Sequence, residues 1–192
     1  MIGNDIIDIS KTKRVSDWRR PGFLEKIFSA KEQALISESA DPFITVWQLW
    51  SMKESAYKVF IQAGGQRFFN PSKIECNLHS TEIGEVSIDG MVLKTNTLFQ
   101  SDYIFSTSTL ENVIVETEIF QLSEGDQKNQ SDFMRLQVIE SFAKKHSLNR
   151  KDLRIVKTEV GVPKIYYGSE QLDISLSITH HGRFGGYSLQ MC

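Results

Sequence analysis

Between residues 44 and 71 the hydrophobic pattern changes period, and that change leaves few folds open. Over 44–62 the apolar side chains of Val46, Leu49, Trp50, Ala56, Tyr57 and Phe60 recur at helical spacing, and Gly64-Gly65 ends the run. From Pro71 onward the period is two. Segments 73–78, 85–88, 91–93, 103–107 and 113–120 read as strands, with Asp89-Gly90 as a hairpin turn. A long amphipathic helix followed by short strands in hairpin order predicts an α+β fold, the helix lying on a mainly antiparallel sheet.

The succession then recurs. Segment 122–131, "LSEGDQKNQS", is polar, contains glycine and has no periodicity, so it reads as a linker. An amphipathic helix is expected over 132–146, with strands over 153–158, 164–167, 174–179 and 186–191. Ahead of the first helix, 2–9 reads as a buried strand and 23–39 has helical spacing. Within it, Ser29 and Glu32 stand at the spacing of a capping box. No short repeat is visible, but each half runs helix then strands. The expected organisation is two similar α/β half-domains, 1–121 and 132–192, joined by 122–131.

With 192 residues and 40% hydrophobic composition, the chain suffices for two small halves with a shared core. A net charge of −2 gives no global attraction for nucleic acid, so any phosphate binding must be local. Cys76 and Cys192 fit no metal or disulfide spacing and read as free thiols of a reducing cytosol. No signal peptide or membrane span is expected.

Three stretches carry candidate chemistry. Asp5 and Asp8 are carboxylates in an Ile-rich strand, costly there unless paired, engaged as caps, or coordinated to a cation. Strand alternation points them to opposite faces. In "LWSMKESAYK", Glu54 and Lys58 share a helix face, while Lys53 lies about 100° away. An ordinary surface pair of that kind contributes about 0.2–0.5 kcal/mol. The same groups can instead hold a metal, accept a proton and contact phosphate. In "SITHHGRF", two histidines leave a strand into a glycine turn, where one can donate to a pyrophosphate or both can simply be turn residues. Lys11, Lys13, Arg14, Arg19 and Arg20 form a basic cluster suited to an acidic protein partner.

Together, "GNDIIDI", "EKIFSAKEQALI", "LWSMKESAYKVF" and "SLSITHHGRF" resemble the signature segments of the 4′-phosphopantetheinyl transferases. The most specific is Trp50, then Lys53-Glu54, then Lys58. Phe28, Ser29 and Glu32 resemble the family's Phe-Ser…Glu segment. Gly3, Asn4 and Asp5 resemble its Gly-x-Asp, and Ser177, Ile178, Thr179 and His180 its Ser-x-Ser-His. The segment order, with Asp5 and Glu54 ahead of His180, is that of the short holo-acyl-carrier-protein synthases. It also suits a circular permutation of the long, pseudodimeric type that activates surfactin synthetase. The length favours the permuted reading.

The resemblance implies transfer of the phosphopantetheine arm of coenzyme A to a serine of an apo acyl or peptidyl carrier protein, with Mg²⁺ as cofactor. It implies Asp5 and Glu54, joined by Asp8, as metal ligands, and Glu54, Lys58 and Asp5 as catalytic residues. Coenzyme A contacts would fall to His180, Lys53, Lys58, Ser177 and Thr179. Either a monomeric pseudodimer or a homo-oligomer fits. Two departures stand out: Ile7 replaces a third acid of the long type, and Val162 replaces the lysine of its Gly-Lys-Pro segment. Lys144, Lys145, Arg150, Lys164 or a second copy of the chain are then candidates for the 3′-phosphate contact. The alternative is a silent protein that binds coenzyme A or a carrier without turnover.

Overall fold

A computed structural model describes residues 1–191 apart from 69, 112 and 124–126. Cys192, expected as a free thiol, and the centre of the expected linker therefore lie outside the described residues. Cys76 is a buried free thiol, as expected.

The fold is α+β. Strand β1 (Ile2–Asp8) is followed by helices α1 (Ile9–Val15), α2 (Phe23–Ile27), α3 (Ala30–Glu38) and α4 (Pro42–Gln62). Asp41 caps α4 by accepting from Ile44 N–H, and Pro42 occupies the first turn, where no amide donor is missed. Ser29 and Glu32 form the expected capping box of α3. Strands β2 (Glu75–Leu78), β3 (Ile83–Ile88), β4 (Met91–Phe99) and β5 (Tyr103–Thr109) complete an antiparallel sheet of order β1-β5-β4-β3-β2. One face of α4 supplies Val46, Leu49, Met52, Ala56, Val59 and Phe60 to the core beneath it. Its approach to β1 is close at Gly3, where an added Cβ would stand 1.9 Å from the Ser55 carbonyl oxygen.

A second core is built from Val138, Phe142, Leu153, Ile165, Leu176, Tyr187 and Leu189. It lies among β6 (Glu116–Gln121), α5 (Gln127–His146), β7 (Leu153–Lys157), β8 (Pro163–Tyr167), β9 (Glu170–Gln171), β10 (Ile174–His181) and β11 (Phe184–Met191). These strands form two sheets, β10-β11-β6 and β7-β8-β9. Two boundaries move from the expected ones. β6 pairs with β11, so the strand before residue 122 belongs to the second unit's sheet. And α5 begins at Gln127, because the Gln130 amide donates to the carbonyls of Gly182 and Ser123 and anchors the polar first turns. Among the described residues, no helix is long and apolar enough to cross a membrane.

The two units repeat one order of elements. β1, α4, the β2–β3 hairpin and the β4–β5 pair are matched by β6, α5, β7–β8 and β10–β11, and β5 pairs with β1 as β11 pairs with β6. Gly3 lies opposite Ser108, whose hydroxyl meets Ser55 at 2.6 Å. Glu118 lies opposite Tyr187, whose hydroxyl donates to Ser141 at 2.9 Å. In this correspondence Glu54 and Lys58 match Glu140 and Lys144, and Asp5 matches Phe120.

β1 joins the units edge to face. Its outward amides donate to side chains of β10: Ile2 N–H to Ser175 Oγ, Asn4 N–H to Ser177 Oγ, and Asp8 N–H to His181 Nδ1. Gln62 of α4 ties the same seam, donating to the carbonyls of Ile2 and Leu176 and accepting from Ser175.

Candidate active site

Asp5 stands mid-strand in β1, beneath α4. Its Oδ1 accepts from Thr179 Oγ1 at 3.2 Å and lies 3.9 Å from Lys58 Nζ. Its Oδ2 is buried and has no hydrogen-bond partner. Burial pushes the Asp5 carboxyl above its usual range, and Lys58, Thr179 and Ser51 only partly offset it. Glu54, one turn before Lys58 on α4, is pushed up to about 7 by burial and then by the Asp5 charge, with Lys58 opposing. Lys58 donates to the Asn4 carbonyl and makes its ion pair with Asp5. Burial holds its ammonium below its ordinary value, while both carboxylates pull it back up. Two buried acids held above their usual range, one raised further by the other's charge and one with an orphaned oxygen, form a site that a hard divalent cation would satisfy. Among the described residues no third His, Cys, Asp or Glu joins them as a metal-binding group.

Lys58 also lines a cavity of about 400 Å³ between the two units. His180 and Ser177 of β10 face it, with Gly161, Val162 and Pro163 of the β7–β8 loop. Three further cations line it: Arg67 after α4, Arg135 of α5 and Lys157 at the end of β7. Arg67 donates to the Val160 carbonyl at 2.6 Å, clamping that loop to the first unit. Burial, then Lys58, Lys157 and Lys11, push the His180 imidazole below its ordinary value. An anion among these groups would relieve that repulsion.

Several expected site residues are placed elsewhere. Lys53 as a coenzyme A contact is corrected. Its side chain is 1% exposed, and its ammonium bonds Glu32 at 2.8 Å and the carbonyls of Ile27 and Pro71, which uses all three protons. Glu32 in turn accepts from Ser29 N–H and Cys76 N–H. These two motif residues are a buried structural joint. Asp8 is likewise not brought to the other acids. It caps α1 through Lys11 N–H, accepts from Ser10, and takes Arg183 through Nε, Nη2 and the backbone N–H. Burial raises the Asp8 carboxyl, but these donors more than offset it and hold it well below the usual carboxylate range. Ser177 donates to Asn4 Oδ1 and Thr179 to Asp5, so both hydroxyls are spent on β1.

Four residues expected as phosphate contacts lie outside the cavity lining. Lys145 pairs with Glu116, Arg150 pairs with Glu140, Lys144 lines a separate groove, and Lys164 sits on β8. Sequence reading missed Arg67, Arg135 and Lys157, which are far apart in the chain. Their one local signal is the Gly161-Val162-Pro163 turn just after Lys157. The N-terminal basic cluster is laid on aromatics: Lys13 over Phe43, Arg19 over Trp18 and Arg20 over Phe23. Lys13, Arg14 and Arg19 line an open groove of about 560 Å³.

Fold and site define an α+β protein in which Lys58 connects two carboxylates, Asp5 and Glu54, to a cation-lined cavity. Residues 1–117, more than half of the chain, match the family model of the 4′-phosphopantetheinyl transferase superfamily, and the chain belongs to that family. It is 34% identical over 74 residues to the holo-[acyl-carrier-protein] synthase of Caldanaerobacter subterraneus subsp. tengcongensis. That match covers 38% of the chain and 56% of the relative's length. Among solved structures, it is similar to the apo-ACPS structure from Chronobacterium ammoiniagenes, at 20% identity and TM-score 0.46, over 56% of this chain and 93% of that one. It is also similar to the holo-[acyl-carrier-protein] synthase of Thermotoga maritima, at 15% identity and TM-score 0.45, over 88% of this chain and 83% of that one.

Proposed function

We propose that this protein transfers the 4′-phosphopantetheine arm of coenzyme A to a serine hydroxyl of an apo acyl or peptidyl carrier protein. The serine oxygen bonds to the β-phosphorus, the bond to the bridging oxygen breaks, and 3′,5′-ADP leaves. One observation carries the reading: Lys58, paired with an Asp5 whose Oδ2 has no partner and electrostatically coupled to Glu54, also lines a cavity with Arg67, Arg135, Lys157 and His180.

Asp5 and Glu54 would hold Mg²⁺, which when bound neutralises charge on the pyrophosphate oxygens. Glu54 takes the serine proton. Lys58 and His180 contact the pyrophosphate, and Arg67, Arg135 and Lys157 grip the 3′-phosphate in place of the lysine missing at Val162. The cations of 11–20 face an acidic carrier, and Lys11 lies close enough to His180 and His181 to affect both. One chain supplies both walls of the cavity, which supports a monomer as the working unit.

Intact-mass spectrometry of apo carrier proteins tests this. Incubation with the protein, coenzyme A and Mg²⁺ should add one phosphopantetheine arm, and EDTA should prevent it. No gain on fatty-acid, polyketide or peptide-synthetase carriers, from folded protein that still binds coenzyme A, would support the silent binding protein instead.

A further inference from the structure

Four alternating residues of β10 face β1, and three of them serve the backbone. Ser175, Ser177 and His181 accept the amides of Ile2, Asn4 and Asp8. Thr179 differs: its hydroxyl donates to the carboxylate of Asp5. We propose that Thr179 is a positioning residue, fixing the Asp5 carboxylate from the opposite unit so that Oδ2 is the oxygen left for a divalent cation. The inference rests on the metal site proposed above.

The terminal torsion of an aspartate is broad and roughly two-fold, so burial alone does not decide which oxygen is free. The Thr179 hydroxyl at 3.2 Å on Oδ1, nearer than the Lys58 ammonium at 3.9 Å on the same oxygen, does decide it. Thr179 suits that task because its β-branched side chain has few χ1 choices and, at 6% exposure, no solvent to turn toward. Its hydroxyl is committed to Asp5, which makes it a different kind of residue from a coenzyme A contact. Outer partners of metal-binding carboxylates typically matter about 10–100-fold in affinity or rate.

Thr179→Val keeps the shape and removes the donor, and Thr179→Ser keeps the donor. Mn²⁺ binding to the protein alone, followed by electron paramagnetic resonance, is read first. Thr179→Val should weaken Mn²⁺ about tenfold or more, and Thr179→Ser should stay within about threefold of the parent. In carrier modification, Thr179→Val should lower kcat by a similar factor with KM for coenzyme A within about twofold. Unchanged Mn²⁺ affinity in Thr179→Val, or a raised KM at unchanged kcat, would overturn the inference. So would a parent whose Mn²⁺ binding survives Asp5→Asn. Should Thr179→Val fail to fold, Thr179→Ala is read by the same criteria. The metal titration needs no turnover, so a parent that binds Mn²⁺ but modifies no carrier refutes the transferase and leaves the positioning role standing.

Discussion

Lys53 and Lys58 leave the same helix five residues apart, about 140° around its axis, and meet opposite surroundings. Lys53 enters the core and neutralises Glu32, while Lys58 reaches across β1 to Asp5. Removing one partner of a fully buried pair leaves an uncompensated charge, so Lys53→Met should cost about 3–5 kcal/mol in chemical denaturation. The protein that stays folded should keep its KM for coenzyme A, the outcome that separates a joint from a ligand contact. Asp8 gives a second residue-scale expectation. Its carboxyl is held below its ordinary value of 3.8, so its contribution is present above that pH and is lost as pH falls through the depressed value. The difference in denaturation midpoint between the parent and Asp8→Asn should therefore be largest near neutral pH and shrink as pH falls from 4 towards 2. Asp8→Asn should start lower and show a flatter acid limb. Neighbours in sequence made Lys53 look like part of the site, and only the helical angle between side chains reveals which lysine turns inward.

At the scale of elements, the long helix and the hairpin strands were legible because their periods are unmistakable. Helix α1 was not, since Ile9–Val15 carries no apolar stripe and is held by the Asp8 cap and Thr12, which donates to the Asp8 carbonyl. The start of α5 was hidden for a related reason: its first turns are polar and are fixed by Gln130 contacts some fifty residues away. The seat of α4 on β1 depends on Gly3. A Cβ there would meet the Ser55 carbonyl, and backbone cannot swing aside as a side chain can. Gly3→Ala should therefore destabilise by about 3 kcal/mol in thermal or chemical unfolding. Because the shift would separate Asp5 from Glu54, carrier modification should fall even where the fold survives.

At the scale of the molecule, the acid pair was readable from motifs and the cation-lined cavity was not. Arg67, Arg135 and Lys157 converge only when the β7–β8 loop folds onto the end of α4. Replacing any of the three by Ala should raise KM for coenzyme A about tenfold with a smaller change in kcat. With dephospho-coenzyme A, which lacks the 3′-phosphate, the same variants should differ little from the parent. Light scattering on the active protein should give the mass of one chain, since both cavity walls come from it.

The repeated order of elements has one further consequence. The second unit keeps the glutamate and lysine of its long helix as Glu140 and Lys144, but Phe120 stands where Asp5 stands in the first, and Glu140 is tied to Arg150. An aromatic ring offers a cation no oxygen and sits instead against the second core. On the proposed function the molecule would be univalent despite its doubled architecture: it should titrate with one equivalent of Mn²⁺ and engage one carrier at a time, along a hyperbolic saturation curve.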